Sequence, residues 1–410
     1  MPLHISSSSF RYIYIYIYIS NHHHQLSHER KNDMAAKATS SSTIIIVAAF
    51  IAALITGTNI TTVVSDDTAP VPGDKSQLNK WFKENVKPLS TQLRRRRTMI
   101  QPSVAEAEKR VRMVKVKKDG SGDFKTVTAA INSIPEGNWR RVIVFIGSGT
   151  YFEKIKIEKT KPFVTLYGDP QKWPNLTFNG TAQRFGTVDS ASLIVESDYF
   201  VAVNLIISNS APMPNGKIAR PQAVALRISG NYAAFYRCAM LGYQDTICDD
   251  RGKHLFKDCY IQGTMDFIFG SGKSLYLNAR LNVVGRNGGV IAAPARTNQS
   301  DDTCGYSFVH CDISGTANGT YLGRAWMSHP KVVYAYTSMS SIVNPLGWDD
   351  SPQGAPNTVY YGEYKNKGVG ARRTGRANFT KWLRRSEALP FITLSYIEAS
   401  KWLLPPPTLP

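Results

Sequence analysis

The segment AAFYRCAMLGYQD, residues 233–245, is echoed by HLFKDCYIQGTMD, residues 254–266, with Phe235 recurring as Phe256. Each copy consists of a short apolar run that ends in a glycine turn and an acidic residue. A period of this length, built from such runs, is typical of a stacked solenoid. The repeat therefore predicts an all-β, single-domain, right-handed parallel β-helix with short helical and loop decorations.

Four polar residues recur at about this interval. Gln222, Gln244 and Asp266 are spaced 22 residues apart, and Asp245 takes the place of Asp266 in the preceding copy. Residues one period apart in a parallel coil lie on neighbouring strands about 4.8 Å apart. The spacing predicts that two amides and two carboxylates gather on one face and form a reactive site. For any one of these residues alone, a structural polar ladder or loop cap is the competing interpretation.

The charge and the cysteines limit the partners. The 410-residue chain has a formal charge of +19, which favours an acidic polymer: nucleic acid, an anionic membrane or an acidic polysaccharide. Nucleic acid is disfavoured because zinc-finger spacing, an RNA-recognition strand motif and a heptad-bearing basic helix are all missing. Five cysteines without a CxxC pair disfavour a metal site, and no cofactor is expected. They permit two disulfides at most, or serve as small core residues.

The N-terminal region predicts export. The apolar run 43–55 resembles the core of a signal peptide over residues 34–58, whose removal would leave no membrane anchor. Residues 1–33, with their alternating Tyr and Ile, are interpreted as a spurious or non-native extension. Secretion makes this a candidate glycoprotein, with sequons at Asn175, Asn179, Asn298, Asn318 and Asn378.

The remaining chain divides by composition. Residues 59–107 are polar and mixed in charge, which predicts a leader or linker, and the arginines at 94–97 form a solvated patch or a processing site. Residues 108–404 hold the strand patterns of the catalytic domain. The proline-rich residues 405–410 are expected to form a loose tail.

Five ordered motifs carry a family resemblance: GTYFEK, RPQAVAL, GYQDT, GTMDFIFG and YLGRAW. In these the chain resembles the plant pectin methylesterases, or pectinesterases, over roughly residues 113–404. It is similar to the form that lacks the inhibitor-like pro-domain. The resemblance implies a secreted carboxylic ester hydrolase that modifies the plant cell wall and takes part in pectin catabolism.

The resemblance and the residue chemistry assign the same roles. Asp266 is the expected nucleophile of an aspartyl esterase, and Arg324 keeps it ionised and orients it. Asp245 is the expected general acid and base, because one member of a close carboxylate pair is pushed towards the protonated form. Gln222 and Gln244 offer amide donors to an oxyanion. The expected reaction converts methyl-esterified homogalacturonan into methanol and free galacturonate carboxylates.

Substrate contacts are expected from aromatic side chains that can stack on sugar rings: Trp326, Tyr243, Phe267 and Tyr151. The expected partners are methyl-esterified pectin and a proteinaceous pectinesterase inhibitor that covers the cleft, with the enzyme acting as a monomer in the plant cell wall.

Two alternatives remain open at this stage. One is another pectin-active β-helix, either a calcium-dependent lyase or a glycosidase with a water-spaced carboxylate pair. The other is a catalytically silent wall protein that binds pectin through its basic surface.

Overall fold

A computed structural model describes residues 66–94, 98–286, 288–349 and 357–409. The chain forms a parallel β-helix whose coils supply one strand to each of three parallel sheets, so the predicted fold is confirmed. The first sheet contains β1 Arg112–Val116, β2 Val142–Ile146, β5 Val164–Gly168, β8 Val201–Val203, β11 Ala233–Tyr236, β14 Lys253–Lys257, β17 Lys273–Leu277, β20 Gly305–Val309, β23 Lys331–Ala335, β26 Tyr360–Tyr364 and β27 Lys381–Trp382.

The other two sheets have eight strands each. The second sheet contains β3 Thr150–Phe152, β6 Asn175–Phe178, β9 Ile206–Asn209, β12 Ala239–Leu241, β15 Tyr260–Gly263, β18 Arg280–Val283, β21 Asp312–Gly315 and β24 Ser338–Met339. The third sheet contains β4 Ile155–Ile157, β7 Leu193–Val195, β10 Leu226–Ile228, β13 Ile247–Asp249, β16 Ile268–Gly270, β19 Val290–Pro294, β22 Tyr321–Arg324 and β25 Trp348–Asp349.

Helices are short and lie outside the coil. The α-helices are α1 Leu78–Asn85, α2 Leu89–Leu93, α3 Pro102–Lys109, α4 Val127–Asn132, α5 Ala182–Phe185 and α6 Arg385–Ala388. Short 3₁₀ helices occupy Asp66–Thr68, Lys75–Gln77, Val188–Ser190, Val369–Ala371, Leu389–Phe391, Leu394–Ile397 and Ala399–Lys401.

The register corrects the predicted period. In the coils that hold the polar residues, Leu226 pairs with Ile247 and Ile247 with Ile268, so the repeat is 21 residues and not 22. Asp245 and Asp266 therefore occupy equivalent positions, whereas the three residues spaced by 22 follow a diagonal across the coils. Loops lengthen other coils: Lys273 pairs with Gly305, 32 residues further on.

An aromatic stack fills the interior. Phe235 stacks on Phe256 with ring centroids 4.6 Å apart, as the sequence repeat predicts, and Phe256 stacks on Tyr276 at the same separation. The stack continues through Phe308 and Tyr334. Offset aromatic stacking adds about 0.5–1.5 kcal/mol per pair to the free energy of area burial. The rings therefore stabilise the coils on which the polar residues sit.

All five cysteines are buried and unpaired, so the alternative of small core residues is the one the structure supports. Cys238 and Cys259 lie on neighbouring coils, where burial raises the pKa of the Cys238 thiol to about 12. Such thiols stay protonated and unreactive at neutral pH.

The segment predicted as a linker is part of the folded body where the structure describes it. Leu78, Trp81 and Phe82 of α1 and Val104 of α3 are buried against the outer face of the first sheet. The described residues belong to one compact unit. The C-terminal tail is also held, because Pro405–Pro407 are half-buried and Leu409 packs against the same cluster. The signal segment, residues 1–33 and Arg95–Arg97 lie outside the described residues.

The described residues contain neither a membrane-spanning helix nor a clustered metal site. None of the helices there has the length and apolar character needed to cross a bilayer. The same part of the chain holds no group of three or more His, Cys, Asp or Glu side chains arranged around a common metal position.

Candidate active site

Two carboxylates lie in the turns between the second and third sheets. Asp245 precedes β13 and Asp266 precedes β16, and the Asp245 N–H donates to the Met265 carbonyl oxygen at 3.1 Å. Both residues have positive φ angles, 64° and 50°. This conformation is sparsely populated outside glycine and often occurs at functional sites. The repeated turn thus presents two carboxylates at the same point of adjacent coils.

Close packing fixes these turns. The Thr246 hydroxyl donates to the Gln262 carbonyl oxygen at 2.8 Å, tying the Asp245 turn to the next coil. At Gly263 an added Cβ would lie 2.1 Å from the Phe267 Cβ and 2.8 Å from the Tyr243 carbonyl oxygen. Only glycine fits there. The sequence pointed to Gly263 as a turn residue but missed the positioning role of Thr246, which directly follows Asp245.

Arg324 and Asp266 form a bidentate ion pair. Arg324 lies at the end of β22, two strands from the Asp266 turn along the third sheet. Its Nε donates to Asp266 Oδ1 at 2.7 Å and its Nη2 donates to Oδ2. The hydrogen bond to Asp266 raises the pKa of Arg324 further. Two parallel charge-assisted bonds fix the plane of the carboxylate and offset the cost of burying its charge.

Asp245 has the opposite environment. Only 8% of the residue is exposed, and its side chain makes no hydrogen bond with another described residue. Burial, and next the charge of Asp266, raise the pKa of Asp245 well above its usual value, while Arg324 acts in the other direction. The two neighbouring carboxyls therefore have different environments. Asp266 is paired with an arginine, and Asp245 has a raised pKa that favours its protonated form.

The two glutamine amides lie in the same region of the coils. The Ala223 N–H donates to the Gln244 carbonyl oxygen at 3.2 Å, and the Ala182 N–H of α5 donates to the Gln222 carbonyl oxygen at 2.8 Å. Gln222 Oε1 is buried without a hydrogen-bond partner, and neither side chain bonds to another described residue. Leaving buried polar groups unpaired is costly, so such groups need an explanation beyond the fold.

Of the four aromatic residues predicted to contact substrate, two remain available. Trp326 is 48% exposed and lies beside the ion pair, with the Arg324 guanidinium 5.4 Å from its ring centre. Tyr243 is half-buried beside the Asp245 turn and lines a shallow cavity that also includes Pro212. Both positions suit stacking on a ring held near the carboxylates.

The prediction is wrong for Phe267 and Tyr151. Phe267 is fully buried because its side chain occupies the space beside Gly263 and joins the interior cluster. Tyr151 is 2% exposed, and its hydroxyl donates to the Gly147 carbonyl oxygen at 3.0 Å. Neither ring reaches a surface on which a sugar could bind.

A buried polar network lies at the other end of β13. Asp249 is fully buried, with Oδ1 2.6 Å from His254 Nδ1 and Oδ2 accepting from the Tyr276 hydroxyl at 2.8 Å. His254 Nε2 lies 2.9 Å from the Gly230 carbonyl oxygen, which can only accept, so Nε2 carries a proton. His254 Nδ1 also lies 3.3 Å from the Ser274 hydroxyl. The network holds the turn that leads back to the first sheet.

An arginine-held carboxylate, an adjacent carboxyl with a raised pKa and two amides without a partner among the described residues thus lie together on a parallel β-helix. The pectinesterase family model matches residues 113–400. Pectinesterase 2 of Olea europaea is 51% identical over 349 residues, covering 85% of this chain and 94% of the relative.

Solved structures agree. The pectin methylesterase from carrot superposes with a TM-score of 0.66 at 31% identity, covering 71% of this chain and 94% of that one. A pectin methylesterase solved in complex with a hexasaccharide superposes with a TM-score of 0.61 at 26% identity, covering 71% and 98%. The chain belongs to the pectinesterase family, whose members hydrolyse the methyl esters of pectin.

Proposed function

We propose that this pectinesterase hydrolyses pectin methyl esters through an acyl-enzyme on Asp266, with Asp245 as general acid and base. The observation that carries the proposal is the contrast between the two carboxyls. Asp266 is fixed by two guanidinium nitrogens of Arg324, Nε and Nη2. In contrast, burial and the charge of Asp266 raise the pKa of Asp245. A nucleophile needs the ionised form and a proton donor the neutral form.

In the first half-reaction an Asp266 oxygen attacks the carbonyl carbon of the methyl ester. Charge develops on the carbonyl oxygen, where the amides of Gln222 and Gln244 donate hydrogen bonds; one such donor is worth about 10²–10³ in kcat in a well-studied hydrolase. Asp245 gives its proton to the departing methoxy oxygen. Methanol leaves, and a mixed anhydride joins Asp266 to the galacturonate carbonyl.

In the second half-reaction the roles of Asp245 reverse. The Asp245 carboxylate accepts a proton from water as the water oxygen attacks the anhydride carbonyl. The same two amides stabilise the oxyanion, and Asp266 leaves as a carboxylate that Arg324 is already placed to receive. The balance is one ester and one water consumed, one methanol and one galacturonic acid formed, with Asp245 protonated again for the next turnover.

Trp326 and Tyr243 are proposed to hold the sugar rings next to the reacting ester, because both are accessible and flank the carboxylates. The proposed setting is extracellular, in the plant cell wall, with the enzyme acting as a monomer. A protein inhibitor that covers the exposed Trp326 and the cleft beside it would block the substrate.

The test is methanol release from highly methylated pectin by the parent and by Asp266→Asn and Asp245→Asn, with calcium chelated and polymer length followed in parallel. We expect parent activity with unchanged polymer length, and loss of about 10³-fold or more in both variants. Thr246→Val, which keeps all five proposed groups, serves as a matched control and should retain more activity than either variant.

The alternatives give different results. Shortening of the polymer would indicate a lyase or glycosidase. Pectin binding without methanol release by a folded parent would indicate a silent wall protein. Equal activity of Asp266→Asn and the parent would exclude the acyl-enzyme on Asp266.

A further inference from the structure

A dense patch of positive charge lies at the C-terminal end of the coil. Residues 365–385, here called the C-terminal basic strip, contain eight arginines and lysines and no aspartate or glutamate. The formal charge of the whole chain is +19. About one-twentieth of the chain thus carries eight positive charges, a local excess that the proposed catalytic steps do not use.

Seven of these eight cations make no ion pair with another described residue. Arg376 alone is neutralised, since it is buried and its Nε donates to Glu363 Oε1 at 2.8 Å. The other seven form no ion pair within the described part of the chain, and all are exposed: Lys365, Lys367, Arg372, Arg373, Lys381, Arg384 and Arg385.

The strip is ordered by its contacts. Arg373 lies 4.7 Å from the ring centre of Trp382, and Lys381 lies 5.6 Å from that of Tyr360. Arg376 fixes the loop through the Asn344 and Pro345 carbonyl oxygens at 3.2 and 3.1 Å. Cations that are already positioned lose less side-chain entropy when an anion binds. The strip is therefore a preorganised anionic-ligand surface.

Protection of an open sheet edge explains only part of this charge. Lys381 lies on β27, the last strand of the first sheet, where a lysine discourages pairing with another chain. Lys367 and Arg372 are not part of that strand: Lys367 bridges to Ser338 of the second sheet, and Arg372 follows the short 3₁₀ helix Val369–Ala371. Edge protection does not require them.

The strip passes close to the candidate active site at Ala377. The Ala377 N–H donates to the Leu346 carbonyl oxygen at 3.0 Å, in the segment that enters β25. In β25, Asp349 pairs with Arg324 of β22. Two strand spacings of about 4.8 Å each place Ala377, in the middle of the strip, roughly 10 Å from the coil of Arg324. One polymer can therefore occupy the cleft and the strip together.

We propose that the C-terminal basic strip binds stretches of de-esterified galacturonan, the polyanionic product of the proposed reaction, at a surface separate from the cleft. The ligand rests on the proposed function: each turnover converts a neutral ester into a carboxylate, so affinity for the strip grows as the polymer is processed. Linked binding at two sites raises the effective concentration of the same chain at the cleft.

The test measures binding of fully de-esterified homogalacturonan, which undergoes no turnover. The strip variant is Lys367→Gln/Arg372→Gln/Lys381→Gln, and the control is Lys80→Gln/Lys83→Gln/Lys172→Gln, which removes three exposed, unpaired lysines elsewhere. Asn378→Gln is included in every protein, so that a glycan at this sequon cannot cover the strip. Methanol release from a short methylated oligogalacturonate reports whether each variant is folded and active.

We expect the strip variant to bind about tenfold more weakly than the control variant at moderate salt, with turnover of the short substrate unchanged. By analogy with single-stranded nucleic acid, loss of three contacts should lower the slope of log K against log salt by about two. Equal affinities of the two variants would overturn the proposal, as would strip-dependent binding to phosphatidylserine vesicles without binding to galacturonan. Failure of the parent to release methanol would instead count against the esterase, because galacturonan binding is scored without turnover.

Discussion

Replacing Arg324 with lysine tests the ion pair that orients the proposed nucleophile. In the parent, two guanidinium nitrogens bond separately to the two oxygens of Asp266, one of them at 2.7 Å. A lysine ammonium takes the place of the guanidinium carbon and acts as a point charge. It keeps the positive charge but cannot reproduce both bonds.

The expected fall in kcat follows from the one hydrogen bond that the lysine cannot make. A hydrogen bond to a charged group contributes about 1.5–3 kcal/mol. If that energy serves to hold the attacking oxygen in line, kcat falls about 10- to 150-fold, since each 1.36 kcal/mol changes a rate tenfold. KM should change little, because Arg324 contacts the nucleophile and not the bulk of the polymer.

The assay is steady-state methanol release, with kcat and KM fitted separately, beside thermal unfolding of each protein. Arg141→Lys is the matched control, since Arg141 Nε donates to Glu108 Oε1 at 2.8 Å in a partly buried pair on the outer face of the first sheet. It should lose stability and keep kcat. A kcat for Arg324→Lys within about threefold of the parent, which is about 0.65 kcal/mol, would refute the orienting role.

Three further changes are predicted. Burial, and next the charge of Asp266, raise the pKa of Asp245 in the folded protein, so folding stability is lost as pH rises from about 4 through the folded pKa. Asp245→Asn should therefore have a higher melting temperature than the parent at pH 7 and a similar one at pH 4. A difference in melting temperature that does not depend on pH would contradict this. Gly263→Ala would bring a Cβ to 2.1 Å from the Phe267 Cβ. We expect this overpacking to lower the free energy of unfolding in urea by about 1–3 kcal/mol and to reduce kcat at least tenfold. A kcat like that of the parent would show that the turn tolerates the shift. Asp249→Asn removes the buried carboxylate that lies 2.6 Å from His254 Nδ1 and accepts from the Tyr276 hydroxyl, so unfolding in urea should show a loss of about 3–5 kcal/mol while kcat per folded molecule persists. Unchanged stability would rule out a buried ion pair.

The repeat and the motifs predicted the centre of the molecule well, because identical chemistry recurs at equivalent places of a coil. Phe235 and Phe256 stack as the alignment indicated. The pairing of Asp266 with Arg324 followed from the need to keep a buried carboxylate charged, and the structure contains that pair. The period of 22 was wrong by one residue because it compared Gln244 with Asp266, whereas the residue equivalent to Asp266 in the preceding coil is Asp245.

The packing of the N-terminal segment and the burial of Phe267 were harder to predict from the sequence. Residues 66–109 look polar on average, yet Leu78, Trp81 and Phe82 follow the i, i+3, i+4 spacing of an amphipathic helix. That spacing was the available signal for packing against the first sheet. Phe267 was misplaced for another reason: the space it fills exists only because Gly263 on the same turn has no side chain, a tertiary detail that no residue count reveals.

The candidate site contains groups that lower the stability of the fold, and the coils around it are stable enough to hold them in place. Asp245 is buried without a hydrogen-bond partner among the described residues, Gln222 Oε1 is unpaired, and Asp245 and Asp266 both adopt a left-handed backbone. Coils on both sides are stabilised by stacked rings and by continuous parallel hydrogen bonding. A substrate ester and its water would supply the partners that these groups lack. The binding energy is then realised where the reaction develops charge, and the free enzyme stays poised for it.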